Sequence, residues 1–149
     1  MKIETVTEQD LDDLLPLMRG YCDFYAEQPS DGELLALSRA LIANPDFEGV
    51  QLIARGDDGR ALGFATIFWT WSTLSASRIG VMNDLFVHSD ARGSGMAEAL
   101  IEECRKRAGQ RGCATLEWST AEDNLRGQKV YDRVGGRRED HWVTYSLDA

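Results

Sequence analysis

The segment from Asn83 to Ala97 combines apolar residues, polar and charged residues, and two glycines. It reads Asn-Asp-Leu-Phe-Val-His-Ser-Asp-Ala-Arg-Gly-Ser-Gly-Met-Ala. It predicts a strand, a short glycine-containing loop and the start of a helix, which together direct backbone N–H groups and a helix dipole at one point. Gly93 and Gly95 let the main chain approach an anion, and Arg92 adds a fixed positive charge. The stretch therefore predicts a phosphate-binding loop, although a plain glycine-rich connection explains the loop alone equally well.

Two common phosphate loops do not fit this stretch. The Walker loop needs Gly-Lys followed by Ser or Thr, which is absent here. The dinucleotide fingerprint needs a small residue where Glu98 stands, and a carboxylate there would repel a pyrophosphate.

Length and composition exclude several classes of protein. The chain has 149 residues, of which 43% are hydrophobic and 28% charged, so we expect one globular domain over residues 1–149. The net charge of −9 argues against a nucleic-acid partner. No apolar run approaches the ~18 residues of a membrane span, and the N-terminus lacks the apolar region of a signal peptide. We therefore expect no membrane partner and a cytoplasmic location.

The metal-binding and redox residues are few and scattered. The cysteines are Cys22, Cys104 and Cys113, and the two histidines are His88 and His141. Their spacing predicts neither a disulfide framework nor a zinc site, so we expect no metal.

The acidic residues are unevenly distributed. Residues 1–58 hold 13 acidic and 4 basic residues, whereas residues 59–149 hold 12 of each. This excess predicts either a solvated acidic surface or a region that faces a cationic ligand.

Hydrophobic periodicity and turn residues predict an α/β fold with a mixed sheet, in the order β-α-α-β-β-β-α-β-α-β. Strands are expected at 2–6, 50–55, 61–71, 78–87, 114–119 and 141–147. Two helices follow the capping boxes at 7–10 and 30–33, and two more lie at 95–108 and 124–134. Pro16 lies inside the first helical pattern and is expected to kink or break that helix.

Two motifs at the expected positions carry a family resemblance. Arg92-x-x-Gly95-x-Ala97, directly after the strand 84–87, resembles the acetyl-CoA loop Arg/Gln-x-x-Gly-x-Gly/Ala of the GNAT N-acetyltransferase superfamily. A later stretch is similar to the family's Asn-x-x-Ala-x-x-Phe-Tyr-x-x-x-Gly helix and reads Asn124-x-x-Gly127-x-x-Val130-Tyr131-x-x-x-Gly135. Leu116-Glu117-Trp118 also looks like the branch that acetylates polyamines and related small amines.

The resemblance implies a fold and a co-substrate. The fold is a central mixed, mostly antiparallel sheet of about six to seven strands flanked by about four helices. The co-substrate is acetyl-CoA, and its implied binding residues are Leu85, Phe86, Val87, Arg92, Gly93, Ser94, Gly95, Met96, Ala97, Asn124 and Tyr131. The main chain of residues 85–87 would pair with the pantetheine arm, and an N–H near Leu85 or Phe86 would stabilise the oxyanion.

The resemblance also implies the acid, and it leaves two candidates for the base. Tyr131 would protonate the departing thiolate, since a phenol of pKa ~10 can serve a thiolate of pKa ~8.5 in a site that shifts both. The polyamine branch has a Glu where this chain has Asn83, which cannot act as a base. Asp84 and Glu117 remain, and we favour Glu117 acting through a water, with an ordinary ion pair as the alternative.

The acceptor site is expected at the first helix pair and the crevice between the fourth and fifth strands. Its predicted residues are Tyr25, Glu27, Asn83, Glu117 and Trp118, with Tyr21, Phe24, Trp69 and Trp71 as further candidates. Aromatic faces and carboxylates suit an amine.

The sequence thus predicts an enzyme that transfers acetyl from acetyl-CoA to a primary amine of a small molecule, by direct attack in a ternary complex. A homodimer follows from the resemblance only. The alternatives are a protein lysine or N-terminal acetyltransferase and a non-catalytic module that binds acetyl-CoA. Asn83 in place of Glu favours the non-catalytic module, whereas Tyr131 argues against it.

Overall fold

The computed structural model describes residues 1–149. The strands are β1 Lys2–Thr5, β2 Gly49–Arg55, β3 Ala61–Ser72, β4 Ser77–Val87 and β5 Thr115–Glu117. The helices are α1 Leu11–Phe24, α2 Asp31–Ala43, α3 Met96–Gln110 and α4 Leu125–Arg133. Short 3-10 turns occupy Glu8–Asp10 and Ser89–Ala91. None of the helices is both long and apolar enough to span a bilayer.

The chain divides into two compact units. The first, Met1–Ser119, contains the sheet and α1 to α3, and the second, Thr120–Ala149, contains α4 and the C-terminal residues.

The sheet has the order β1-β2-β3-β4-β5. Its first three strand pairs are antiparallel, and only β4 and β5 run parallel. Leu52, Ile53, Phe64, Ala65 and Ile67 on the two central strands are at most 1% exposed, so the hydrophobic core lies along β2 and β3. The predicted α/β fold with a mixed, mostly antiparallel sheet and four helices is confirmed.

The expected number of strands is wrong, because the sheet has five. Residues 141–147, predicted as the last strand, adopt no regular secondary structure. Their apolar side chains are exposed, with Trp142 at 63%, Val143 at 78%, Tyr145 at 90% and Leu147 at 98%. High β-propensity reflects a fit to a paired, half-buried surface, and these residues have neither a pairing strand nor cover.

Both predicted capping boxes are confirmed. The Thr7 backbone N–H donates to Asp10 Oδ2 at 2.9 Å, and the Ser30 backbone N–H donates to Glu33 Oε2 at 2.7 Å. The first box leads through a 3-10 turn into α1, and the second begins α2.

The expected break at Pro16 is wrong, since α1 runs without interruption from Leu11 to Phe24. Pro16 and Asp12, the residue whose carbonyl loses its helical partner, are both exposed. Water can therefore take the place of the missing backbone bond, while Leu14 and Met18 hold the opposite face of the helix in the core.

Candidate active site

A β-bulge interrupts β4 at Asn83. Asp84 pairs with Thr66 on β3, but the next residue of β3, Ile67, pairs with Met82. Asn83 is therefore an extra residue on the β4 side, which kinks the strand and redirects its side chains. Strict alternation along a strand would place Asn83 on the face opposite Asp84, but at the bulge Asn83 Nδ2 donates to Asp84 Oδ1 at 2.9 Å.

After the bulge the two faces of β4 differ in what covers them. Phe86 lies against α1, where a Cβ added at Gly20 would come within 2.7 Å of its ring. Gly63, which pairs with Val87, lies instead against Met96 and Leu100 of α3. Asp84 shares the α1 face with Phe86, as alternation predicts within residues 84–87.

The outer edge of β4 is open beyond the first part of the strand. Only residues 79–81 of β4 pair with β5. From Met82 to Val87 the strand has β3 on one side and no strand on the other. An open edge of this kind can bind an extended, amide-rich ligand as an added strand.

Polar groups from three elements surround the half-buried Asp84 carboxyl. Asn83 Nδ2 donates to its Oδ1, and Thr66 is its cross-strand partner on β3. Tyr21 donates from its hydroxyl to the Asn83 carbonyl oxygen at 3.2 Å, which ties α1 to the bulge beside Asp84. Burial raises the pKa of Asp84 above its ordinary value, and the polar groups of Thr66, Tyr21 and Asn83 oppose that rise. The result is a desolvated carboxyl that can exchange a proton with a ligand at the strand edge.

The loop after β4 has the geometry of an anion cradle. Gly93 and Gly95 have φ angles of 81° and 84°, and a Cβ added to either would meet nothing within 4 Å. Arg92 donates from Nε to the Val87 carbonyl oxygen at 3.3 Å. The first N–H groups of α3, which begins at Met96, have no partner within the helix. The loop thus offers open space, backbone donors and one cation together, which suits a pyrophosphate.

We expect Gly93→Ala to weaken CoA binding about tenfold, because its Cβ would enter the space that the anion needs. Isothermal titration with CoA measures this effect. Gly59→Ala is the matched control, since Gly59 has the same φ of 81° and equally open space, but lies in the hairpin turn between β2 and β3. Both variants carry a similar left-handed strain of about 1–2 kcal/mol. Equal CoA affinity in the two variants would exclude this loop as the anion site.

Aromatic side chains gather at the end of α1 near the bulge. Tyr25 lies edge-on to Tyr21, with ring centroids 5.1 Å apart, and Phe24 lies edge-on to Tyr25 at 5.0 Å. Phe24 is 58% and Tyr25 40% exposed. Glu27 follows in the turn after the helix, where its N–H donates to the Cys22 carbonyl oxygen. The structure therefore places Tyr25 beside Tyr21, and its role in binding an acceptor remains a prediction.

A cleft of about 560 Å³ lies between α1 and the end of β4. Its charged and polar lining residues include Arg19, Asp23, His88 and Arg92, and Phe86 contributes an apolar wall. Arg19 is already paired with Asp31 at 2.6 Å. The cleft connects the region of the phosphate loop with the exposed face of α1.

Glu117 and Trp118 lie at the end of β5. Glu117 is exposed, pairs with Val81 in the sheet and accepts a hydrogen bond from the Thr115 hydroxyl at 2.9 Å. Trp118 is half-buried. The prediction that Glu117 is the base remains a prediction.

The other tryptophan candidates have different surroundings. Trp69 is 9% exposed and donates from Nε1 to the Pro45 carbonyl oxygen at 2.8 Å. Trp71 is 65% exposed and lies under Arg78 at 5.1 Å, near the turn between β3 and β4. Neither contact involves the Asp84 group.

The second unit carries the second motif. Asn124 is the N-cap of α4: its Oδ1 accepts from the Gly127 N–H at 3.1 Å, and its Nδ2 donates to the Thr120 hydroxyl at 2.9 Å. There is no space for a side chain at Gly127, since an added Cβ would lie 2.6 Å from Asn124 Nδ2. Tyr131 is half-buried on the same helix, and Gly135 ends it with a φ of 77°.

The cysteines form no disulfide, and no group of histidine, cysteine, aspartate or glutamate side chains could hold a metal ion. Cys104 is fully buried, and burial raises the pKa of its thiol to about 12.

Two residues of the site were missed by sequence reasoning. Gln51 and Thr66 are 3% and 0% exposed, although both are polar. The available signal was their position in the middle of the apolar runs Val50–Ile53 and Phe64–Ile67, where a polar side chain needs a specific partner.

Comparisons with known proteins identify the family of this chain. The family described as Acetyltransferase (GNAT) family matches residues 14–136. The uncharacterized N-acetyltransferase YhfO of Bacillus subtilis (strain 168) is 30% identical over 148 residues, which is 99% of this chain and 97% of YhfO. The D-amino-acid N-acetyltransferase HPA3 of Saccharomyces cerevisiae is 33% identical over 78 residues, 52% of this chain and 48% of HPA3. The crystal structure of a probable acetyltransferase has a TM-score of 0.87 and 29% identity, covering 100% of this chain and 98% of that one.

The chain belongs to the GNAT acetyltransferase family, as the two sequence motifs indicated. It is an N-acetyltransferase of the type that uses acetyl-CoA.

Proposed function

We propose that this chain transfers the acetyl group of acetyl-CoA to a primary amine of a small molecule, by direct attack in a ternary complex. The observation that best supports this is on β4, where an open strand edge from Met82 to Val87 runs beside the half-buried Asp84 carboxyl. The edge suits the amide-rich arm of the co-substrate, and the carboxyl suits an amine that must lose a proton before it attacks.

The proposed co-substrate site follows the family resemblance. The main chain of Leu85, Phe86 and Val87 pairs with the pantetheine arm, and the loop residues Arg92, Gly93, Ser94, Gly95, Met96 and Ala97 hold the pyrophosphate. The open space at Gly93 and Gly95 and the N–H groups at the start of α3 support this assignment. When bound, acetyl-CoA supplies the activated acyl group. Asn124 and Tyr131 complete the proposed set, with Tyr131 as the acid.

For the base, we propose Asp84 in place of Glu117. Burial raises the pKa of Asp84, which brings that carboxyl closer to the basicity needed to accept a proton from an ammonium. Glu117 is exposed and already accepts a hydrogen bond from Thr115. Glu117 remains the alternative base, and it is also a candidate for binding the acceptor.

The acceptor proposal rests on the aromatic end of α1. Tyr25 lies beside Tyr21, whose hydroxyl reaches the bulge, so an amine bound there would face both rings and the Asp84 carboxyl. Glu27, Asn83 and Trp118 are further proposed contacts. That HPA3 is named for D-amino acids supports a small acceptor.

A protein lysine or N-terminal amine remains the alternative acceptor, and a non-catalytic acetyl-CoA-binding module the alternative function. The Asp84 carboxyl beside position 83 weakens the case for the non-catalytic module. We also propose that residues 1–149 form one acetyltransferase domain, since the family match at 14–136 includes residues of both compact units. The polyamine-type branch, the homodimer and the cytoplasmic location stay predictions.

The experiment that tests the function is CoA thiol release from acetyl-CoA across a panel of acceptors. The panel contains polyamines, D- and L-amino acids, aminoglycosides and lysine peptides, with a blank that lacks acceptor. Asp84→Asn protein is run beside the wild type, so that release by a contaminating enzyme is recognised.

We expect release above the blank with one class of small amine. Release with the lysine peptides alone would transfer the proposal to the protein acceptor. Acetyl-CoA binding by titration, without release from any acceptor, would favour the non-catalytic module.

A further inference from the structure

A row of three polar side chains crosses the buried face of the sheet. Gln51 on β2 pairs with Thr66 on β3, and Thr66 pairs with Asp84 on β4. Because paired residues of adjacent strands project to the same face, all three side chains lie on the side that α1 covers. Their sequence neighbours Leu52 and Ile67 are fully buried and apolar. A polar row at this depth requires that its members satisfy one another.

The chemistry of the row fixes the direction of its hydrogen bonds. Thr66 lies opposite Asp84 in the strand register, and because an ionised carboxylate can only accept, any hydrogen bond between them uses the Thr66 hydroxyl hydrogen. The lone pairs of Thr66 Oγ1 then accept from Gln51 Nε2 at 3.1 Å. Because Gln51 Nε2 can only donate, this contact leaves the Thr66 hydroxyl hydrogen available to the Asp84 carboxylate.

This orientation of Gln51 has a cost for the fold. Its Oε1 is buried and has no hydrogen-bond partner, while its Nε2 contacts only Thr66 and, at 3.6 Å, the Met18 sulfur. An unpaired buried amide oxygen destabilises the folded state, and an apolar side chain at position 51 would avoid it. Stability alone therefore does not explain a glutamine at position 51, whereas its hydrogen bond to the Thr66 hydroxyl does.

Groups from α1, β4 and β5 also lie around the Asp84 carboxyl, in addition to the row of Gln51 and Thr66. Tyr21 and Cys22 of α1 are the titratable groups packed toward it, and burial raises the pKa of each. Asn83 donates to Oδ1 from β4 itself, and Glu117 lies on the neighbouring strand β5. From β3, the Thr66 hydroxyl is the polar group that pairs with Asp84 across the strands.

We propose that Thr66 and Gln51 are positioning residues, which hold the Asp84 carboxylate ionised and oriented so that it can accept the proton of the incoming ammonium. This inference rests on the proposed function, in which Asp84 is the base. Neither residue touches the reacting atoms, and both act through the Asp84 carboxyl.

The test compares Thr66→Val, which keeps the shape but removes the hydroxyl, with Thr66→Ser, which keeps the hydroxyl. The Thr66 hydroxyl lowers the pKa of Asp84, so its removal raises that pKa, and a base that works ionised then needs a higher pH. We expect the acid limb of the kcat/KM profile to move upward by about one pH unit in Thr66→Val, a tenfold loss on that limb that recovers at high pH. Thr66→Ser should follow the wild type, and Gln51→Leu should shift in the same direction as Thr66→Val.

A second measurement separates this inference from the proposed function. The ¹³C resonance of the Asp84 carboxyl, assigned by its absence in Asp84→Asn, is titrated in the protein without substrates. An upward shift of this titration in Thr66→Val, with Thr66→Ser unchanged, supports the positioning role and also shows that the variants are folded.

The outcomes are distinct. An inactive Asp84→Asn together with a wild-type titration and pH profile in Thr66→Val overturns the positioning role and leaves the proposed function standing. A fully active Asp84→Asn overturns Asp84 as the base, and with it the positioning role in catalysis, even where the resonance shifts.

Discussion

Asp84→Asn is expected to lower kcat/KM by about 10²- to 10³-fold while leaving acetyl-CoA affinity unchanged. Asparagine has the shape of aspartate, and its side-chain oxygen can still accept from the Thr66 hydroxyl, but it cannot take a proton from an ammonium. Steady-state kinetics with the acceptor found in the panel measures the loss, and titration with CoA measures binding. Asp12→Asn, an exposed change on α1, is the control and should match the wild type.

Although Asp84→Asn is expected to lower activity, it is not expected to lower the stability of the fold. The folded-state pKa of Asp84 is raised, so the folded state binds the proton more tightly than the unfolded state does. Stability therefore falls as the pH rises from the ordinary aspartate value through the raised one. Removing the charge should leave the Tm of Asp84→Asn at pH 7 at or above that of the wild type. A lowered Tm would show that the carboxylate stabilises the fold.

The kinetic prediction for Asp84→Asn has its own contradicting outcome. A loss of kcat/KM in Glu117→Gln but not in Asp84→Asn would show that Glu117 is the base.

Tyr131→Phe is expected to lower kcat by about 10²-fold, with little change in acetyl-CoA affinity. The phenol hydroxyl would protonate the thiolate as it leaves, and phenylalanine keeps the ring but has no proton to donate. Stopped-flow or steady-state thiol release at saturating substrates isolates kcat, and titration with CoA isolates binding.

Tyr145→Phe is the matched control for this change. Tyr145 belongs to the same compact unit and is 90% exposed, so loss of its hydroxyl should leave kcat unchanged. A wild-type kcat in Tyr131→Phe would end the assignment of Tyr131 as the acid. A proportional loss of CoA affinity and kcat would instead indicate that its hydroxyl binds the co-substrate.

Much of the local structure around the site could be predicted from the sequence, because the determining contacts are short in range. The boxes at Thr7 and Ser30 are completed within three residues, and the glycines after β4 adopt positive φ for reasons that belong to their own backbone. Periodicity placed every helix and the first five strands, since each buries one face whatever its partner. The strand expected at 141–147 had the composition of a strand but lacked a partner, which composition does not reveal.

The identity of the candidate base shows where sequence reasoning stops. The sequence left Asp84 and Glu117 as candidates for the base and favoured Glu117. One extra residue at the bulge brings the Asn83 side chain to Asp84, and the packing of α1 desolvates that carboxyl. A bulge is a property of the register between two strands, and burial is a property of what packs on them. Neither is encoded in the spacing of a single strand.

The sequence by itself therefore determined the family motifs, the glycine loop and the order of the elements, because these depend on residue type and on neighbours a few positions away. Only the tertiary structure decided that Gln51, Thr66 and Asp84 form one polar row across the sheet. These residues are far apart in the chain and meet through strand pairing alone. Burial raises the pKa of Asp84 and the polar groups beside it oppose that rise, and no local pattern specifies either effect.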